Sequence, residues 1–102
     1  MSLYLETEQL ETIRRILQLH FEGFLVYAYG ARVLGNNLKS DSELNLAVVS
    51  DKPMPLKEMV AVEKAFAESE LPFSIDIVDW AKLPESFQKD IKKECVEIQG
   101  GK

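Results

Sequence analysis

Two short apolar runs, Phe24 to Tyr29 and Leu44 to Val49, constrain this chain more than any other feature. The first is apolar at every position and the second is broken only by Asn45, so neither presents a solvent face. Strands of that kind are buried on both sides, which calls for helices packed on the sheet. Leu10, Ile13, Ile16 and Leu17 recur at helical spacing behind Thr7, Glu8 and Glu11, which supply a cap and first-turn acids. Gly23 breaks that helix. After a turn over Asp51 to Pro55, Met59, Val62, Ala65 and Phe66 mark a second long helix, and Leu71-Pro72 ends it. Phe73 to Val78 then alternates, with Ile75 and Ile77 on one side and Ser74, Asp76 and Val78 on the other. Pro84 suits the first turn of a last helix with Phe87 and Ile91 as its buried stripe, and Val96 to Ile98 reads as a short edge strand. The expectation is one domain over residues 1–102, with helices packed on a sheet of three or four strands.

The two apolar runs are joined by a segment that carries the chemistry, GARVLGNNLKSDSELNL from Gly30 to Leu46. Gly30 follows the first run directly, Gly35 comes five positions later, and Glu43 and Asn45 stand two apart at the head of the second run. Two residues apart on a strand means one face. A pair of oxygen-bearing side chains on one face, beside a glycine turn, is what a divalent ion carrying a triphosphate needs. Asp76 adds a third oxygen donor by interrupting an otherwise apolar strand. Taken singly, each feature has a plainer reading. The glycines are turn glycines, since a G-x-x-x-x-G without a following Lys-Ser/Thr is no P-loop. Glu43 and Asn45 sit at a solvated strand end, and Asp76 pairs structurally with Arg32.

Taken together, the order of these features resembles the minimal nucleotidyltransferases of the polymerase-beta-like superfamily. That pattern is a Gly-Ser turn, an Asp-x-Asp pair and, later, a third Asp. The lead-in helix, the strand Phe24 to Tyr29, the Leu-Pro-Phe at Leu71 to Phe73, the run Ile75 to Trp80 and the closing helix fall in family order across nearly the whole chain. Gly30 and Ala31 take the place of the Gly-Ser turn, Arg32 that of the arginine after it, Glu43 and Asn45 that of the pair, and Asp76 that of the third Asp. Ser40-Asp41 offers a rival placement of the Ser-Asp step, although anchoring on the strand Leu44 to Val49 favours Glu43.

The resemblance implies an α+β fold with a mixed β-sheet flanked by helices. It also implies Mg-dependent transfer of a nucleoside monophosphate, AMP from ATP, onto an acceptor hydroxyl. Glu43, Asn45 and Asp76 would then be the catalytic and metal-binding residues, and Gly30, Ala31 and Arg32 the nucleotide-binding ones. The acceptor would be a helical HEPN-type partner protein in a toxin-antitoxin pair. Three departures, at Ala31, Glu43 and Asn45, weaken catalysis unless Asp41 or Asp79 substitutes. They favour, as an alternative, an inactive binding module that neutralises its partner by contact.

Composition excludes other classes. A net charge of -5 and a pI near 4.9 oppose binding to a phosphate backbone, so nucleic acid is not the expected main partner. Lys89, Lys92 and Lys93 interleave with Asp90 and Glu94 as a solvated helix face. No apolar stretch approaches the roughly 20 residues of a membrane span. Acids at the start, where a secretory signal carries basic residues, point to the cytoplasm. The single cysteine, Cys95, cannot form an internal disulfide, and its helical spacing from Phe87 and Ile91 predicts core packing. The single histidine, His20, has no second His for a zinc site and is expected at the surface or an interface, which leaves a homo-oligomer open.

Overall fold

The computed structural model describes residues 2–101, so Met1 and Lys102, the ends of the expected domain, lie outside the described residues. The elements follow in the order α1 (Thr7–Phe21), β1 (Leu25–Tyr29), α2 (Ala31–Leu34), β2 (Leu44–Val49), α3 (Leu56–Ala67) and β3 (Ile75–Asp79). A 3-10 turn (Trp80–Lys82), α4 (Glu85–Lys93) and β4 (Cys95–Gln99) complete them. The four strands form one mixed sheet in the order β3-β2-β1-β4. β1 runs antiparallel to β2 and to β4, while β2 and β3 are parallel and are joined by α3 as a crossover. The α+β architecture is therefore as expected, and the two apolar runs occupy the two interior strands.

Strand parity divides the sheet into two faces. Val26, Ala28, Leu44, Leu46, Val48 and Ile77 point to the side covered by α1 and α3, where they meet Ile13, Leu17, Phe21, Met59, Val62 and Phe66 in one buried cluster. The opposite face is covered more thinly. Tyr27 packs on Trp80 with ring centroids 5.6 Å apart, and Tyr29 meets the edge of Phe87 at 6.2 Å. On that face Asn45 and Asp76 stand in line with Tyr29 and take part in neither ring contact.

Several local expectations are corrected. Glu6, not Thr7, is the residue before the first helical turn of α1, and its backbone N–H donates to Gln9 Oε1 at 3.0 Å. Phe24 precedes β1, because the carbonyls of Phe21 and Phe24 both accept from Gln99 Nε2, at 2.7 and 2.8 Å, which holds the corner in a turn. Pro84 stands just outside α4 as its cap, where its missing N–H costs nothing. Phe87 is 41% exposed, so Ile91 alone carries the buried stripe and Phe87 serves Tyr29 instead. Cys95 is not on the helix: it opens β4, half-buried, and burial pushes its thiol pKa up. α2 was invisible to periodicity because one helical turn has no period to read. The lysine face of α4 is solvated as expected, with exposed pairs Lys89–Glu85 and Lys93–Asp90. No helix among the described residues is long and apolar enough to cross a membrane.

Candidate functional site

The site is built around the turn at Gly30, between β1 and α2. Gly30 has φ of 86° and ψ of -151°, a conformation that side chains rarely adopt. A Cβ there would lie 2.5 Å from the Asn45 side-chain nitrogen, the movable end of a side chain, so the backbone conformation is what requires glycine, and the close approach shows that the Asn45 amide packs directly on the turn. Ala31, the first residue of α2, is half-buried and offers no hydroxyl.

Register aligns the rest. Asn45 pairs with Tyr29 on one side and with Asp76 on the other, so the three side chains form a row across β1, β2 and β3 on the thinly covered face. Glu43, two residues before Asn45, lies just ahead of β2 and is exposed, and Ser74 Oγ lies 3.4 Å from its Oε2 as a donor. Asp76 is exposed too. Burial first, and then the charges of Asp76 and Glu43, raise the pKa of the Tyr29 phenol. Both carboxylates are therefore felt at one point. The structure brings Gly30, Glu43, Asn45 and Asp76 together at the head of two adjacent strands.

Arg32 has a different place. The residue is 5% exposed, and its guanidinium donates to four backbone carbonyls: Ser42 at 2.8 Å, Ser40 at 2.9 Å, Tyr4 at 3.1 Å and Lys39 at 3.4 Å. It also lies 3.9 Å over the Phe73 ring. In return the Arg32 carbonyl accepts from Tyr4 N at 2.7 Å. Burial lowers its pKa and Asp41 opposes that shift, but an arginine keeps its proton in either case. The side chain is spent on fixing the N-terminal segment and the loop that delivers Glu43, rather than being directed at a phosphate. It makes no ion pair with Asp76.

The two proposed substitutes also separate. Asp41 is exposed on the turn beside Arg32. Asp79 lies three residues from Asp76 and so on the other face of β3, buried, accepting from Met54 N at 2.7 Å and Ala81 N at 3.2 Å. It fastens the chain before α3 and caps the 3-10 turn, and it cannot reach the row. His20 is half-exposed in the last turn of α1, away from these residues in the fold.

The donor set decides what the site can hold. Among the described residues no three or more His, Cys, Asp or Glu side chains converge on a metal position. A clamp of two ions needs a bridging carboxylate, and Asn45 stands at the centre of the row with an amide instead. Two ions do not fit. The oxygens available to a single Mg²⁺, which accepts a few protein ligands and keeps waters and phosphates, are those of Glu43, Asp76 and the Asn45 amide. Tyr29 and Ser74 escaped the sequence reading. The signal for Tyr29 was its position directly before Gly30, hidden because an aromatic in an apolar run reads as core.

Comparison with known proteins adds ancestry to this geometry. A family model described as polymerase beta, nucleotidyltransferase matches residues 11–100. Over 98 residues the chain is 37% identical to the probable protein adenylyltransferase MntA of Haemophilus influenzae, a span of 96% of this chain and 85% of that protein. A solved toxin-antitoxin structure with AMP-PNP matches with a TM-score of 0.74 at 17% identity, over 91% of this chain and 74% of that one. A mutant MntA-HpeT toxin-antitoxin structure gives 0.72 at 17% identity, over 91% and 74%. At that identity the structural likeness speaks for the fold.

Proposed function

Because this chain belongs to the polymerase beta nucleotidyltransferase family, we propose that it binds ATP with one Mg²⁺ at the Gly30 turn and transfers AMP slowly to a hydroxyl of a helical, HEPN-type partner protein. The observation that carries this reading is the placement of Glu43, Asn45 and Asp76 on one sheet face beside the positive-φ turn at Gly30. In the transfer the acceptor oxygen bonds the α-phosphorus of ATP, the bond to the β-phosphate breaks, and pyrophosphate and the hydroxyl proton leave; a bound ion would neutralise phosphate charge and favour the ionised acceptor hydroxyl. Gly30 lets the backbone approach the phosphates, and the strand ends hold the three oxygen donors at fixed spacing. The adenylyltransferase relative and the toxin-antitoxin neighbours support the choice of AMP and of a protein acceptor.

Slowness follows from the same residues. Ala31 cannot donate the hydroxyl hydrogen bond of the family turn, a loss of about 1.5–3 kcal/mol or roughly one to two decades of rate. Asn45 neither bridges two ions nor accepts a proton. The amide at the centre of the row favours a second reading, in which the fold neutralises its partner by contact and transfer is lost. Labelled ATP and Mg²⁺, incubated with this chain and the protein encoded beside it, separate the two. Label on the partner supports transfer, while a tight unlabelled complex selects contact alone.

A further inference from the structure

Tyr29 belongs to the row but to none of the roles given so far. It pairs with Asn45, which pairs with Asp76, so its phenol stands on the same face as both carboxylates, about two strand spacings of roughly 4.8 Å from Asp76 across the sheet. Phe87 holds the ring edge-on, with centroids 6.2 Å apart and planes at 90°. Its hydroxyl makes no hydrogen bond among the described residues. A tyrosine phenol is protonated at neutral pH and can therefore donate a hydrogen bond. The turn next to it keeps its backbone N–H groups but lacks a side-chain donor, since Ala31 has only a methyl.

We propose that the Tyr29 hydroxyl makes the hydrogen bond that Ala31 cannot, donating to a phosphate oxygen of the bound nucleoside triphosphate. The inference rests on the nucleotide reading of this site. The row places the phenol next to Asn45 and on the same face as Asp76, and the Phe87 contact restrains the ring so that little side-chain freedom is lost on binding. A donor held this way recovers part of the lost contact without adding charge to an acidic site.

The test is calorimetry of ATP with Mg²⁺ on the wild type, Tyr29→Phe and Tyr27→Phe. Tyr29→Phe keeps the ring on Phe87, so its melting temperature should match the wild type while its ATP affinity falls about tenfold or more. Tyr27, on the same face but packed on Trp80, should tolerate the same change with wild-type affinity. Equal affinity of wild type and Tyr29→Phe, or an equal loss in Tyr27→Phe, overturns the role of Tyr29 and leaves the nucleotide reading standing. A wild type that binds no ATP with Mg²⁺ at millimolar concentration overturns both.

Discussion

At Asn45 a single atom separates two chemistries, because an amide nitrogen stands where an aspartate would carry a second carboxylate oxygen. Restoring the motif with Ala31→Ser, Glu43→Asp and Asn45→Asp should raise AMP transfer to the partner by at least about two decades, with Asn45→Asp contributing most. Comparing label incorporation for wild type and the repaired chain checks it, and equal rates would show that the existing donors suffice. Asp76→Ala tests the native carboxylate. Asp76 is exposed and makes no hydrogen bond or ion pair among the described residues, so stability should stay within about 0.5 kcal/mol. Metal-dependent ATP binding should disappear, as read by calorimetry with and without Mg²⁺. A melting temperature that collapses instead would mean that Asp76 holds the fold.

The elements explain why neighbouring residues of like type do different work. β3 places Asp76 on the open face and Asp79 three positions on, in the core, where it accepts two backbone N–H groups. Asp79→Ala should cost about 2 kcal/mol or more, a fall in Tm of roughly 8–16 °C, yet leave ATP affinity in the surviving fold unchanged. Thermal melts and calorimetry on one preparation show whether the two effects part. Arg32 joins the N-terminal segment, the loop before β2 and Phe73, two residues ahead of β3. Arg32→Ala should lower stability by about 2 kcal/mol or more. Arg32→Lys should regain less than half of it, because an ammonium lacks the planar fork that reaches several carbonyls at once. Full rescue by lysine, in denaturant melts, would show that only the charge matters.

Across the whole molecule, charge and architecture act together. The chain already carries -5, and the repaired variant adds one more negative charge, at Asn45, in a row that holds Asp76. It should melt below the wild type in metal-free buffer and recover on addition of Mg²⁺, since like-charge repulsion is relieved only by the ion. A melt insensitive to Mg²⁺ would place the introduced carboxylate away from Asp76. The interior strands, the two long helices and the residues that resemble the family turn were all legible in the sequence, because apolar period and glycine placement are local signals read one residue at a time. Four things were not legible. They are the burial of Arg32 among four carbonyls, the turning of Asp79 into the core, the exposure of Phe87 and the place of Cys95 on an edge strand. Each depends on which residues from distant parts of the chain arrive beside it. The row of Tyr29, Asn45 and Asp76 is the plainest case: β2 supplies the middle member, and only the antiparallel pairing with β1 and the parallel pairing with β3 put the other two in line. Sequence determined which groups the chain owns, and the register of three strands decided which of them face one another.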